Sequence, residues 1–310
     1  MSLPYSDLPM ELCGEMLHPI SLLKKCSRRY RHNMGHVKKF IAPHFSHDPA
    51  IFPAKKHKKS NTLFLLGSGP SINAISAEQW KHIAACDSLG WNFWLYHEFA
   101  PTYYFFELSD VQSQRAAFQN LLSMRSAAYA HTAVVMHDLW QTDERTLRAG
   151  PSALPWHQLI CFDQLSHFYA LHNIGVPGKT EADLRRHLVR WTWAGMFRRA
   201  AHLWYLPKKR SSISMLILFA LQCGYEKIVL CGVDFLTPAY FYDDAKYDHL
   251  PRWTIERSDV HRTFDSKVNP LTIDKIIYAL NDEVLKRKRV ELYVGNPACP
   301  LHPNLPAYPF

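Results

Sequence analysis

The chain has 310 residues, of which 47% are hydrophobic and 13% aromatic. That is enough to bury one large core or two modest ones, and it excludes a disordered chain. The formal charge is +9, unevenly placed: residues 1–60 hold eleven Lys or Arg against four acids, and the rest is nearly balanced. Seven scattered cysteines with no CxxC pair exclude a disulfide scaffold and a structural zinc of the common type. The longest apolar runs, such as Met215–Leu221, fall far short of a membrane span. The start of the chain lacks a basic stretch followed by a long apolar run, so a cytoplasmic location is expected.

The first sixty residues read as a basic extension. LLKKCSRRY at Leu22–Tyr30 and KKHKK at Lys55–Lys59 are its charge clusters, and Met16, Leu17, Ile20, Leu22 and Leu23 lie in or before the first. Such a segment could lie on anionic lipid headgroups, giving peripheral contact with the inner membrane, or it could be an arm leading into the first strand. Nucleic acid is not expected as a partner, because no zinc-finger pattern or aromatic–basic strand pair accompanies the charge.

The core is expected over 61–236, completed by 271–310. Thr62–Leu66 (TLFLL) has the apolar run of a buried parallel strand. It ends in Gly67-Ser68-Gly69-Pro70-Ser71, and a helix capped by Ser76 follows over Glu78–Ala85. Strands are expected at Ser88–Trp91, with Asn92 at its end, at Tyr103–Glu107, at Thr132–Met136 and at Leu159–Phe162. A helix is expected through Ser109–Leu121. Glu181–Tyr205 reads as one long basic helical region, Ser212–Cys223 as an apolar helix, and Lys227–Leu230 as a strand ending in Cys231-Gly232-Val233-Asp234-Phe235. The helix Thr272–Leu285 and the strand Arg289–Val294 close the pattern. Alternating helices and strands predict an α/β fold, a Rossmann-like, mostly parallel, doubly wound sheet. Residues 237–270 break the rhythm and are rich in Tyr, Asp, His and Arg, so they read as a lid.

The glycine turn is not a Walker loop, lacking the GxxxxGK[ST] spacing and lysine, nor the dinucleotide fingerprint, lacking the third glycine. Two glycines directly after a strand let the backbone approach a ligand and leave N–H groups for a ribose or a phosphate. The alternative is a tight turn that merely closes the strand. Asp234 has two readings at its strand end: a ligand contact, or a structural carboxylate among apolar neighbours. Lys208-Lys209-Arg210 precedes a helix start, where positive charge opposes the helix dipole unless an anion is near.

Three of these blocks carry a family resemblance: the strand and GSGPS turn of Thr62–Ser71; SSISMLILFALQCGYEKIVLCGVDF at Ser211–Phe235; and the strand Glu291–Tyr293 followed by Cys299-Pro300. The chain resembles the bacterial sialyltransferases of glycosyltransferase family 42, over about residues 62–300. The resemblance implies a nucleotide-binding domain of GT-A-like type with a lid-like insertion. It also implies inverting transfer of sialic acid, or a related keto-sugar acid, from a CMP-activated donor to a bacterial surface glycan or glycolipid, in lipopolysaccharide biosynthesis. No metal or other cofactor is implied, and a homo-oligomer is. By position, Gly67, Gly69, Ser71, Asn92, Ser211 and Ser212 resemble the nucleotide contacts, and Ser68 and Asp234, beside them at the strand ends, are further candidate nucleotide contacts. Tyr242 resembles a tyrosine supporting the leaving phosphate, with Tyr240 and Tyr247 as alternatives. His261 resembles the general base, with His249 and then His97 as rivals. Asp259 or Asp265 could orient the His261 ring. The chain departs from the family at Leu236, where a second tyrosine is expected, and at Glu107, where an asparagine is expected. Two other readings fit the same fold: a phosphotransferase or pyrophosphokinase, for which Asp243 and Asp244 would gain a metal role, and a non-catalytic nucleotide- or glycan-binding protein.

Overall fold

The computed structural model describes residues 42–107, 112–137, 165–252, 264–267 and 269–310. Its strands, in chain order, are β1 (Phe52–Pro53), β2 (Thr62–Leu66), β3 (Asp87–Trp91), β4 (Tyr103–Phe106), β5 (Ala133–His137), β6 (Phe168–Gly175), β7 (His202–Leu203), β8 (Tyr205–Lys208), β9 (Lys227–Cys231) and β10 (Glu291–Val294). The longer helices are α1 (Ala77–Ala85), α2 (Gln112–Arg125), α3 (Glu181–Trp193), α4 (Ser212–Gln222) and α5 (Ile273–Leu280).

Among the described residues the main sheet runs β10-β9-β2-β3-β4-β5-β6-β8, with every neighbouring pair parallel. Alternation along each strand divides its apolar side chains between two faces. Leu63 and Leu65 of β2 join a core covered by α3, α4 and α5. Phe64 and Leu66 join a second core covered by α1 and α2. The molecule is therefore a doubly wound, parallel α/β fold with both sheet faces buried, which is why its strands read as continuous apolar runs. Residues 271–310 add β10 beside β9, so the final segment completes the same sheet.

Several local features follow from identifiable residues. Ser76 caps α1 through a capping box with Gln79. The long helix expected over Glu181–Tyr205 stops at Trp193. Gly195 takes φ +74°, and the chain then forms β7 and the edge strand β8. Pro207 in β8 suits an edge, where one row of amides needs no sheet partner. The sequence pattern does not announce β6, because His172 and Asn173 interrupt its apolar run. The expected strand Leu159–Phe162 and residues 1–41 lie outside the described residues.

The described end of the basic extension is packed rather than loose. Phe52 is buried, with its ring edge-on to Tyr169 and Phe219. The Lys59 and Ser60 amides donate to the buried Asp87 carboxylate at 2.7 and 2.9 Å. Tyr225 adds its hydroxyl to the same carboxylate at 2.9 Å. The first part of the segment read as a lid also packs inward. Two short 3₁₀ turns, Phe241–Asp243 and Ala245–Tyr247, bury Phe241, Tyr242 and Tyr247 in the second core.

Candidate functional site

The carboxyl ends of parallel strands are where open α/β sheets hold ligands, above all where the strand order reverses. Here the reversal lies between β2 and β9. From β2 the chain passes through α1 on the second face to β3. From β9 it passes through α5 on the first face to β10, on the other side.

At that point the Gly67–Ser71 turn is bound to the turn after β9. The Gly67 amide donates to the Cys231 carbonyl and the Gly69 amide to the Gly232 carbonyl, both at 2.8 Å. Ser71 donates its amide to Asp234 Oδ2 at 2.7 Å and its hydroxyl to Oδ1 at 2.9 Å. A Cβ at Gly67 would overlap the Gly232 carbonyl, and one at Gly69 the Asp234 carboxylate. These glycines thus answer first to the close approach of two protein turns. The expectation of open amides is corrected: three of them are committed inside the protein. The Ser68 amide has no bond among the described residues, and the Ser68 carbonyl accepts from the Phe241 amide at 2.8 Å. Asp234 locks the two turns together through Ser71.

Farther along the rim, Asn92 follows β3 in the left-handed region at φ +53°, which asparagine tolerates better than most residues. Its side-chain oxygen is buried without a hydrogen-bond partner among the described residues. Ser211 sits at the cap position of α4, yet its side chain makes no capping bond, and its Oγ is likewise buried and unpaired. Ser212 is the first residue of that helix. Arg210, at φ +62°, precedes both, and burial lowers its pKa from the usual arginine range. No salt bridge joins it to an acid among the described residues. Ser214, which the sequence did not flag, fixes this turn by accepting from the Lys209 amide and sharing its one hydroxyl proton between the carbonyls of Lys209 and Ser211. A buried polar atom left unpaired costs about 1–3 kcal/mol. The Ser211 hydroxyl and the partly desolvated Arg210 suit an anionic group, and the Asn92 oxygen suits a donor such as a hydroxyl or an amino group.

The same rim holds a second polar group. Lys208 Nζ lies 3.2 Å from Glu107 Oε2, and His137 Nδ1 lies 3.8 Å from the same oxygen. Asn173 Nδ2 lies 3.2 Å from His137 Nδ1. Lys208 therefore balances the carboxylate that stands at Glu107. Sequence reasoning missed His137, which ends a short strand, and Asn173, whose strand has a broken apolar pattern, because no motif surrounds either.

Tyr242 is buried, stacked on Tyr96 at 4.6 Å and on Tyr240 at 5.0 Å between ring centroids. Burial pushes the Tyr96 hydroxyl up to about 12, and it donates to the Pro251 carbonyl. Arg252 donates to the Tyr242 carbonyl at 3.1 Å. The Tyr247 ring is buried beneath the Lys246 ammonium. His97 is corrected as a rival base. It is 8% exposed, its ring stacks against Trp94 and packs on Trp80, and its Nδ1 accepts from the Phe99 amide at 3.0 Å. Burial lowers its pKa to about 4. His249 is exposed. His261 and Asp259 lie outside the described residues. Asp243 Oδ2 accepts from the Tyr240 amide at 2.6 Å and Asp244 Oδ1 from the Lys246 amide at 3.1 Å, so both carboxylates serve as turn caps. Among the described residues no group of three or more His, Cys, Asp or Glu could hold a metal ion.

No protein-family model matches the chain, and no curated protein matches it. Among solved structures, the chain is similar to the sialyltransferase CstII from Campylobacter jejuni, determined with the substrate analogue cytidine-5'-monophosphate. The identity is 13% and the TM-score 0.41, over 80% of this chain and 85% of that one. It is also similar to the monofunctional alpha-2,3-sialyltransferase Cst-I from the same organism, at 14% identity and a TM-score of 0.41, over 81% of each chain.

Proposed function

We propose that the chain is a CMP-sugar-dependent glycosyltransferase that moves sialic acid, or a related keto-sugar acid, to a bacterial surface glycan with inversion. One observation carries the reading: along the rim of the parallel sheet, the buried oxygens of Asn92 and Ser211 lack partners, and Arg210 stands beside Ser211 without an acidic partner among the described residues. A nucleotide monophosphate suits that set. The start of α4 and Arg210 supply one anion site, and Asn92 offers a carboxamide to the nucleoside. Ser68 offers an amide of the glycine turn that has no bond among the described residues.

On this reading Ser211 and Ser212 face the phosphate. Gly67, Gly69, Ser71 and Asp234 shape the wall by holding the β2 and β9 turns together. Tyr242 and His261 keep the roles that the family resemblance implies: leaving-group support and general base. A base of this kind typically contributes about 10²–10⁴-fold. No metal or other cofactor is assigned. The basic extension, with its local charge excess, is the part we assign to anionic membrane surface, and a homo-oligomer is expected from the resemblance alone. Among the described residues no helix is long and apolar enough to cross a membrane. The phosphotransferase reading gains no support from Asp243 and Asp244, which cap turns.

Calorimetry against CMP, UDP, GDP and ATP, with and without Mg²⁺, tests the proposal. CMP is expected to bind in the micromolar range without metal, and more tightly than the other three. A strict requirement for Mg²⁺ and a purine triphosphate would replace this reading with the phosphotransferase one.

A further inference from the structure

Four consecutive strands of the sheet, β4, β5, β6 and β8, bring Glu107, His137, Asn173 and Lys208 to one place on one face. Strand alternation explains the convergence. His137 shares parity with Ala133 and Val135, Asn173 with Tyr169 and Leu171, and Lys208 with Leu206, all in the core under α4. Glu107 continues the parity of Tyr103 and Phe105.

The chemistry of this set differs from that of Arg210 and Ser211. Glu107 and Lys208 lie 3.2 Å apart and neutralise each other, so the pair brings no net charge for a second anion. It nevertheless presents strong acceptors and donors together. Asn173 Nδ2 lies 3.2 Å from His137 Nδ1, which also faces Glu107 Oε2 at 3.8 Å. The Asn173 oxygen is left buried without a partner among the described residues. A carboxylate, an ammonium and a carboxamide oxygen match groups that both donate and accept, and a sugar's hydroxyls are such groups.

We propose that Glu107, Asn173 and Lys208, with His137 positioning the amide, form a subsite for a neutral, hydroxyl-rich sugar ring. That the occupant is a sugar rests on the glycosyltransferase reading above, whereas the polar set itself does not. The proposed donor carries an acidic sugar, so the neutral ring is assigned to a terminal sugar of the acceptor.

The test is saturation-transfer NMR of the full chain with methyl β-galactoside and, separately, with free N-acetylneuraminic acid, alongside calorimetry against CMP. The wild-type chain is expected to saturate the neutral ring more strongly than the acidic one. Glu107→Gln and Asn173→Ser, each checked for an unchanged melting profile, are expected to weaken that signal about tenfold while leaving the CMP Kd within about twofold. Adding CMP, which cannot react, is expected to leave the galactoside signal in place; its loss would show that the nucleotide occupies the same groove and would overturn a separate subsite. A wild-type chain that ignores the neutral ring, or two folded variants that bind it unchanged, overturns the subsite even if CMP binds. Ring binding without CMP binding leaves the subsite standing and removes the nucleotide reading.

Discussion

Ser211 shows how much a single residue can say. A serine at a helix cap ordinarily accepts a bond from the first turn, and losing that bond costs about 1 kcal/mol. Here the side chain makes no such bond and its oxygen is buried. Replacing Ser211 by Ala should therefore leave thermal stability unchanged or slightly raised, while CMP affinity falls about three- to tenfold in calorimetry. A clear loss of stability would instead mark it as a structural cap. Asn92 makes the companion case. Asn92→Gly keeps the left-handed backbone but removes the amide, so weakened CMP binding with an intact fold is expected. His261→Ala is expected to reduce turnover about 10²–10⁴-fold with CMP binding retained. Unchanged turnover would remove His261 as the base.

Among the elements, the paired turns after β2 and β9 are the most constrained. Gly69→Ala would push a methyl into the Asp234 carboxylate, and overpacking of this kind costs about 1–3 kcal/mol. A lowered urea midpoint with an unchanged slope is the expected result. The strand-turn-helix order around this turn was legible in the sequence because a short apolar run, two glycines and the Ser76 cap are local signals. The purpose of the glycines was not legible: the partner that requires them, the turn after β9, lies more than 160 residues away in the chain. The long helix expected over Glu181–Tyr205 failed for a related reason. Its composition stays basic and aromatic throughout, but Gly195 and the pairing of β8 with β6 decide where the helix ends. Asn92 and Ser211 were named from resemblance. Glu107, His137, Asn173 and Lys208 become a group only when β4, β5, β6 and β8 lie side by side.

For the whole molecule, the buried His97 and the half-buried His57 tie stability to pH. Burial, with help from neighbouring cations, lowers His97 to about 4; the same cause, with His167, lowers His57 to about 4. Both are lower than the unfolded value near 6.5, so between the two values the unfolded chain binds more protons than the folded one. Stability is complete above about pH 6.5, declines as pH falls, and levels off for these groups below about 4. For the better buried His97 the loss is at most roughly 3 kcal/mol. His97→Asn, which can keep an acceptor for the Phe99 amide, should flatten the decline in urea titrations between pH 6.5 and 4.

The central claim concerns where a nucleotide rests on this sheet, and a crystal of the full chain soaked with CMP tests it most directly. The account predicts density at the carboxyl rim, with the phosphate against Arg210 and the start of α4 and the nucleoside within hydrogen-bonding reach of Asn92. Clear density for CMP elsewhere, with the Asn92 and Ser211 oxygens contacting only protein or water, would contradict it.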